Sequence, residues 1–291
     1  MTAVMRQIIT LTTIPPRFGK TGETLQTLLS QRLPAERIEL YIPRHYRRFP
    51  DWGGSLPEVP AGVTIVRVDE DLGPATKILP AARAWTGQGV DLIYVDDDRR
   101  YGPDLTRVAL DLRKEHPDAA LCATGFSVRN RYGYDVPDRR KPRAVQTVNP
   151  RFSLDYQFRN ALADLRHRLF GGPPPMTPVK LLSRSGHVDV AQGYGGVAVR
   201  PEFFDEVAHA IPPVLWAVDD VWLSGMLERR GIPIWADRRL FGVRKLDAVS
   251  EIEPLFRAVI DGAARDTADR ACIDYFRKTY GIWGGDATQR T

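Results

Sequence analysis

An α/β domain built on a mostly parallel sheet is the fold class that this sequence predicts, on three observations. Short β-branched runs alternate with helical periodicity through the first 125 residues, the spacing that joins parallel strands through helices. Apolar residues make up 43% of the chain and charged residues 26%, a globular composition. The 291 residues suffice for a sizeable core in one large domain.

Each element has its own signature. Gln7–Thr12 (QIITLT) is β-branched and is stopped by Pro15 and Pro16, a first strand. Over 23–33, Leu25, Leu28, Leu29 and Leu33 share a helical face. Ile38–Ile42 and Val63–Val68 read as further strands, 78–85 as a helix and Leu92–Val95 as a fourth strand. A helix over 105–115 and a strand over 119–123 follow. From about 126 to 187 the pattern dissolves into an irregular insertion rich in Arg, Tyr, Gly and Pro, with a helix expected around 156–169. Regularity returns at VDVAQGYGGVAVRP and continues into a helix, DDVWLSGMLERRGIP. In that helix acids open the first turn, arginines fill the last, and Gly231 caps the end. One or two helices are expected over 247–283.

A net charge of +5 and a pI near 9.3 suit an anionic ligand such as a nucleotide, or a peripheral contact with anionic lipid; they do not argue for nucleic acid. Cys122 and Cys272 make no CxxC pair. No stretch approaches the ~18 apolar residues of a membrane span, and the first residues lack the apolar core of a signal peptide. A cytoplasmic protein is expected. GKT at 19–21 is not a phosphate-binding loop, because Ile14 stands where that pattern needs glycine.

The chemistry concentrates where an apolar strand runs straight into Asp96, Asp97 and Asp98 (IYVDDDRRYGPD). In open α/β sheets ligands bind beyond the carboxyl ends of the strands. Three adjacent carboxylates repel one another unless a cation neutralises them, and hard oxygen ligands suit Mg²⁺ or Mn²⁺. Extended geometry puts Asp96 and Asp98 on one side and Asp97 on the other. A solvated acidic turn is the plainer alternative. After the third strand, DEDLGPATKILPA offers Lys77 as a cation beside a helix start. The turn Gly193-Tyr194-Gly195-Gly196 lets backbone approach a ligand. His187 is a third-ligand candidate for a metal, against the commoner structural histidine. Asp219 and Asp220 are helix caps or, in one case, a general base. The arginine-rich loop 129–143 reads as a solvated segment, with binding of an acidic acceptor or a diphosphate as the alternative.

Taken in order, TTIPPRF, LGPATKILPA, IYVDDDRRYGPD, GYGGVAVRP and DDVWLSGMLERRGIP resemble bacterial GT-A glycosyltransferases of the family-2-like kind, in particular those of capsule or surface-polysaccharide assembly. The resemblance spans residues 10–235 and implies a GT-A fold: a Rossmann-like, mostly parallel mixed sheet flanked by helices, in a single domain. It divides the chain into a nucleotide-sugar-binding half (1–125), an irregular acceptor-side insertion (126–187), an acceptor and catalytic half (188–245) with Gly193–Gly196 on the acceptor side, and a helical tail (246–291). It implies a nucleotide-diphosphate sugar donor, UDP-sugar favoured, a divalent metal, and a glycan or lipid-linked acceptor. By the same resemblance Asp98 is the metal ligand, with Asp96 on metal or ribose and Asp97 beside them. Thr12, Thr13 and Arg17 would receive the base, Asp71 and Lys77 the base and pyrophosphate, and Asp220, next to Asp219, would be the catalytic base. The QxxRW element and membrane helices of processive synthases are missing, which implies transfer of one sugar, at the inner face of a membrane or free of it. The rivals are a sugar nucleotidyltransferase, which would want a glycine-rich basic loop where TTIPPRF stands, and a non-catalytic carbohydrate-binding protein.

Overall fold

The computed structural model describes residues 6–137, 139–146, 182–240, 242–253 and 265–284, together with positions 161, 162, 165 and 169. Its centre is an eight-stranded mixed sheet. The strands are β1 (Arg6–Thr12), β2 (Arg37–Pro43), β3 (Val63–Val68), β4 (Val90–Tyr94), β5 (Ala120–Cys122), β6 (Gly186–Val188), β7 (Val197–Val199) and β8 (Ile234–Ala236). Their order across the sheet is β6-β8-β5-β7-β4-β1-β2-β3. The four strands of the first 94 residues pair in parallel, as do β5 and β8. Strand β7 runs antiparallel to both β4 and β5, and β6 antiparallel to β8. The α/β expectation therefore holds, as a mostly parallel mixed sheet in one domain.

Strand alternation divides the core into two layers. Ile8, Leu92 and Tyr94 face one apolar cluster, while Ile9, Leu11, Ile93 and Val95 face the other. Helices α1 (Gly22–Leu29) and α3 (Leu105–Glu115) cover the second layer through Leu25, Leu28, Val108 and Leu112. The first layer is covered by α2 (Leu79–Trp85), α5 (Asp219–Arg229) and α7 (Arg265–Tyr280), with the short α4 (Val128–Tyr132) at its edge and α6 (Asp247–Ser250) between α5 and α7 in sequence. The tail docks through one tight contact. Gly225 lets Phe276 lie so close to α5 that a β-carbon there would sit 2.3 Å from its ring.

Helix α1 ends at Leu29 rather than at Leu33, with Ser30 past its last turn and Pro34 barring continuation. Of the helix expected around 156–169, positions 161, 162, 165 and 169 are helical; the rest lies outside the described residues. Cys122 and Cys272 are buried free thiols. Among the described residues no helix is long and apolar enough to cross a membrane.

Candidate functional site

The parallel strands β1, β3 and β4 deliver their carboxyl ends to one cleft of about 370 Å³. Thr12 and Thr13 line it beyond β1, Asp71 and Gly73 beyond β3, and Asp96–Asp98 beyond β4. The other wall holds Phe126, Arg131, Gln192, Tyr194 and the start of α5, Asp219 and Asp220.

The three adjacent acids do not behave as one group. Strand β4 ends at Tyr94 and the chain turns at Asp97–Asp98, and each carboxylate meets a different cation. Asp96 accepts from Lys77 Nζ at 2.6 Å. Buried Asp97 accepts from Arg17 Nη1 at 2.7 Å and from Thr13 Oγ1 at 2.5 Å. Asp98 Oδ1 lies 3.0 Å from Arg99 Nε, yet the two are misaligned and neither atom makes a hydrogen bond. Protein cations thus separate the charges that a metal was expected to neutralise alone. Burial, with Asp96 and Asp97 adding repulsion against the pull of Arg99, pushes the Asp98 carboxyl up to about 6. Burial likewise raises Asp97, against Arg17 and Thr13.

Lys77 has a different place from the one expected of a phosphate-binding lysine. It is 3% exposed, and its ammonium lies between Asp96 and Asp219, 2.8 Å from Asp219 Oδ2. Burial alone would lower its pKa. Asp219, Asp96 and Asp220 outweigh that and hold it well above its ordinary value. The ammonium joins the β4 turn to α5.

The acidic pair at the start of α5 does not cap the helix. Val218 holds the cap position and makes no side-chain capping bond. Instead Asp219 takes Lys77, and Asp220 Oδ1 accepts from the Gly193 backbone N–H at 2.9 Å. A β-carbon at Gly193 would lie 2.8 Å from Lys77 Nζ, so any larger residue there would have to displace the lysine ammonium. Of the expected acceptor turn, Tyr194 lines the cleft, beneath the Arg99 guanidinium at 5.2 Å. Gly193, Gly195 and Gly196 do not line it; they pack against Lys77, Ala123 and Leu105 respectively.

The base-side residues expected from the resemblance also meet. Asp71 accepts from the Arg47 and Gly73 backbone N–H groups at 2.7 and 2.9 Å, and burial raises its pKa against those bonds. Thr12 Oγ1 donates to the Tyr41 carbonyl at 2.8 Å. Sequence reasoning missed the cover of the cleft. Residues 244–245 pair with 99–100, Leu246 N donates to the Asp98 carbonyl at 2.9 Å, and Arg17 Nε to the Ile252 carbonyl at 2.9 Å. No periodicity marks so short a segment. Trp216 was missed as well; its indole N–H donates to the Asp71 carbonyl at 2.8 Å and the Arg47 guanidinium lies 5.3 Å over its ring.

His187 is a correction. It lies in the edge strand β6, with β8, β5 and β7 between it and β4. At about 4.8 Å per strand that is roughly 19 Å from the acids. Its ring packs edge-on against Trp235 at 5.2 Å, burial lowers its pKa, and it does not line the cleft. It cannot join Asp96 and Asp98 on one ion.

The donor set still suits a divalent cation. Asp98 Oδ1 is buried without a hydrogen bond, and Asp96 and Asp98 both line the cleft. Among the described residues no three His, Cys, Asp or Glu side chains converge as a metal-holding group. Two carboxylates are the protein share for an ion whose remaining ligands are water and phosphate oxygens.

The sequence matches no protein-family model and no curated protein. Among solved structures, the chain is similar to PcManGT, a mannosyltransferase from Pyrobaculum calidifontis in complex with GDP-Man and Mn²⁺ (TM-score 0.44, 15% identity, 95% of this chain and 71% of that one). It is also similar to S. aureus TarS 1–349 in complex with UDP (TM-score 0.39, 14% identity, 80% and 58%). A second structure of TarS 1–349 gives a TM-score of 0.30 at 16% identity over 52% and 43%. Likeness at this level carries no argument about activity.

Proposed function

We propose that the chain is a metal-dependent glycosyltransferase that moves one sugar from a nucleoside-diphosphate sugar to a hydroxyl acceptor, in surface polysaccharide or glycan synthesis. The observation that carries this reading is the single cleft in which Asp96–Asp98, at the carboxyl end of a central strand, meet Asp219–Asp220 across Lys77. One acidic set faces a donor and the other an acceptor, and they belong to opposite halves of the chain.

Charge supports a donor that arrives with a cation. Eight carboxylates and six cationic side chains line the cleft, which leaves a net charge of −2. A diphosphate is repelled by such a surface unless it brings positive charge. A divalent ion held by Asp98 and Asp96 would, when bound, stabilise the negative charge on the departing nucleoside diphosphate. The chain's own residues do the rest. Thr12, Asp71 and Gly73 shape the wall for the nucleoside, while Arg17 and Thr13 fix Asp97 and with it the turn. Asp220 takes the proton of the acceptor hydroxyl as that oxygen bonds to the anomeric carbon and the bond to the diphosphate breaks. Gly193 N–H orients the accepting carboxylate.

The test is calorimetric titration of UDP and of GDP, with Mn²⁺ and again with chelator, on the wild-type chain and on Asp98→Asn. Metal-dependent binding of one nucleotide, lost in the variant, is expected and would name the donor base. Binding indifferent to chelator, or no binding at all, would remove this reading.

A further inference from the structure

The cleft has six cationic side chains, and five of them are already paired. Arg17 pairs with Asp97, Arg48 with Glu253, Lys77 with Asp96 and Asp219, Arg99 with Asp98, and Lys245 with Glu251. Arg131 has no carboxylate partner among the described residues. Its side chain is nonetheless held in place. Its guanidinium lies over the Phe126 ring at 4.6 Å and the Tyr132 ring at 5.4 Å, and its Nε donates to Tyr132 Oη at 3.1 Å. Tyr132 Oη in turn donates to buried Asp269 at 2.6 Å. This fixes one edge of the guanidinium and leaves its two terminal nitrogens, a planar fork suited to an oxyanion, without an acceptor among the described residues.

The position of Arg131 assigns the oxyanion to the acceptor side. Phe126 pairs with Val190, and the next residue, Ala191, donates its backbone N–H to the Ser224 hydroxyl of α5 at 3.0 Å. Two residues further on, Gly193 holds Asp220. Phe126, which lies under the Arg131 guanidinium, is therefore joined through 190–191 to the helix that carries the proposed base. The cations nearest the donor acids, Arg17, Lys77 and Arg99, are spent on those acids.

We propose that Arg131 receives an anionic group of the acceptor, a phosphate or carboxylate carried on the acceptor sugar, with the Phe126 ring beneath it. This rests on the glycosyl-transfer reading. Arg131 is an acceptor-specificity residue, and neutral sugars are poor acceptors.

The test is calorimetric titration of the full chain with glucose, glucose 6-phosphate and glucuronate, and separately with UDP and GDP in Mn²⁺. The wild-type chain is expected to bind one of the anionic sugars about tenfold or more tighter than glucose, the scale of a charge-assisted hydrogen bond. Arg131→Gln should erase that preference and leave nucleotide affinity within about twofold. Arg131→Lys, which keeps the charge and loses the fork, should retain part of it. Arg131 is exposed, so both variants should melt within a few degrees of wild type. Equal binding of all three sugars by the wild-type chain would overturn the proposal, and so would a preference that survives Arg131→Gln. A loss of nucleotide affinity in Arg131→Gln, with sugar binding unchanged, would move the oxyanion to the donor's diphosphate. Failure of the glycosyl-transfer reading is a separate result: no nucleotide binding by the wild-type chain with or without Mn²⁺, whatever the sugars do.

Discussion

Replacing Lys77 by methionine removes the one cation between Asp96 and Asp219 and keeps the shape of the stem. Removing one partner of a buried ion pair costs about 3–5 kcal/mol, because the other charge stays buried. The Asp96 side chain is 30% exposed and that of Asp219 only 7%. Water therefore screens Asp96, and the penalty falls chiefly on Asp219, at the low end, about 3 kcal/mol. For a chain of this size that is a fall in Tm of roughly 6–12 °C. The pH dependence gives a second signature. In wild type the folded pKa of Lys77 is raised, so its contribution is complete below the unfolded lysine value and is lost only as pH rises through the folded value. In Lys77→Met the penalty comes instead from carboxylate charge left without its cation; it is complete at neutral pH and shrinks as pH falls towards about 4, where aspartates protonate. Urea denaturation of both proteins between roughly pH 4 and 8 measures this directly. A difference below about 1 kcal/mol at pH 7 that does not change with pH would refute the linking role of Lys77.

Other consequences are open to measurement. Asp98→Asn removes a buried charge of raised pKa, and at pH 7 the folded variant should be more stable than wild type by up to about 3 kcal/mol, read by denaturation, while Mn²⁺-dependent nucleotide binding is lost. Because the Asp98 carboxyl holds its proton up to about 6, the stability advantage of Asp98→Asn over wild type should grow as pH rises from about 4 to about 6, and metal-supported nucleotide affinity should climb as pH rises through about 6; denaturation and calorimetry at several pH values would show it, and flat profiles would count against Asp98 as a ligand. Asp220→Asn should keep nucleotide affinity and lower the transfer rate by about 10²–10⁴-fold, and a fully active variant would exclude it as the base. Gly225→Ala places a β-carbon 2.3 Å from Phe276, so a loss of about 1–3 kcal/mol in thermal denaturation is expected; an unchanged melt would mean that the tail helix does not dock there.

What could be read from the sequence followed the length of each element. Strands of five to seven residues with β-branched runs, β1 to β4, and the strongly amphipathic α3 lie within one or two residues of their expected bounds. Strand β8, Ile234–Ala236, was not legible. Three residues contain no alternation, and it is a strand because β5 and β6 flank it. The acids fared in the same way. Their position at a strand end was visible, but which cation each one takes was not, since Arg17 and Asp97 are 80 residues apart in sequence. The loop of Lys77 is of the phosphate-binding kind, and its ion pairs with Asp96 and with Asp219, 19 and 142 residues away in sequence, are what make it an internal counterion. Arg131 was read as solvated because a charge run usually is. The signal for another reading was local: aromatic residues at 126 and 132 on either side of it, close enough to hold a guanidinium still.

The charge balance then sets how the two substrates are admitted. Arg17, Lys77 and Arg99 each pair with one acid of the central turn. The cleft as a whole stays acidic, and burial raises the cost of the charge on Asp98. A divalent ion relieves that cost and supplies the attraction a diphosphate needs, so metal and donor should bind with positive coupling: each raises the affinity for the other by the same factor. Titrating Mn²⁺ with and without UDP measures that factor from both sides. Arg131 lies on the wall that carries Asp220, so its own pairing with an acceptor anion does not depend on the ion. Acceptor affinity should therefore survive chelation that abolishes nucleotide binding, and an acceptor lost together with the metal would place its anion at the central turn instead.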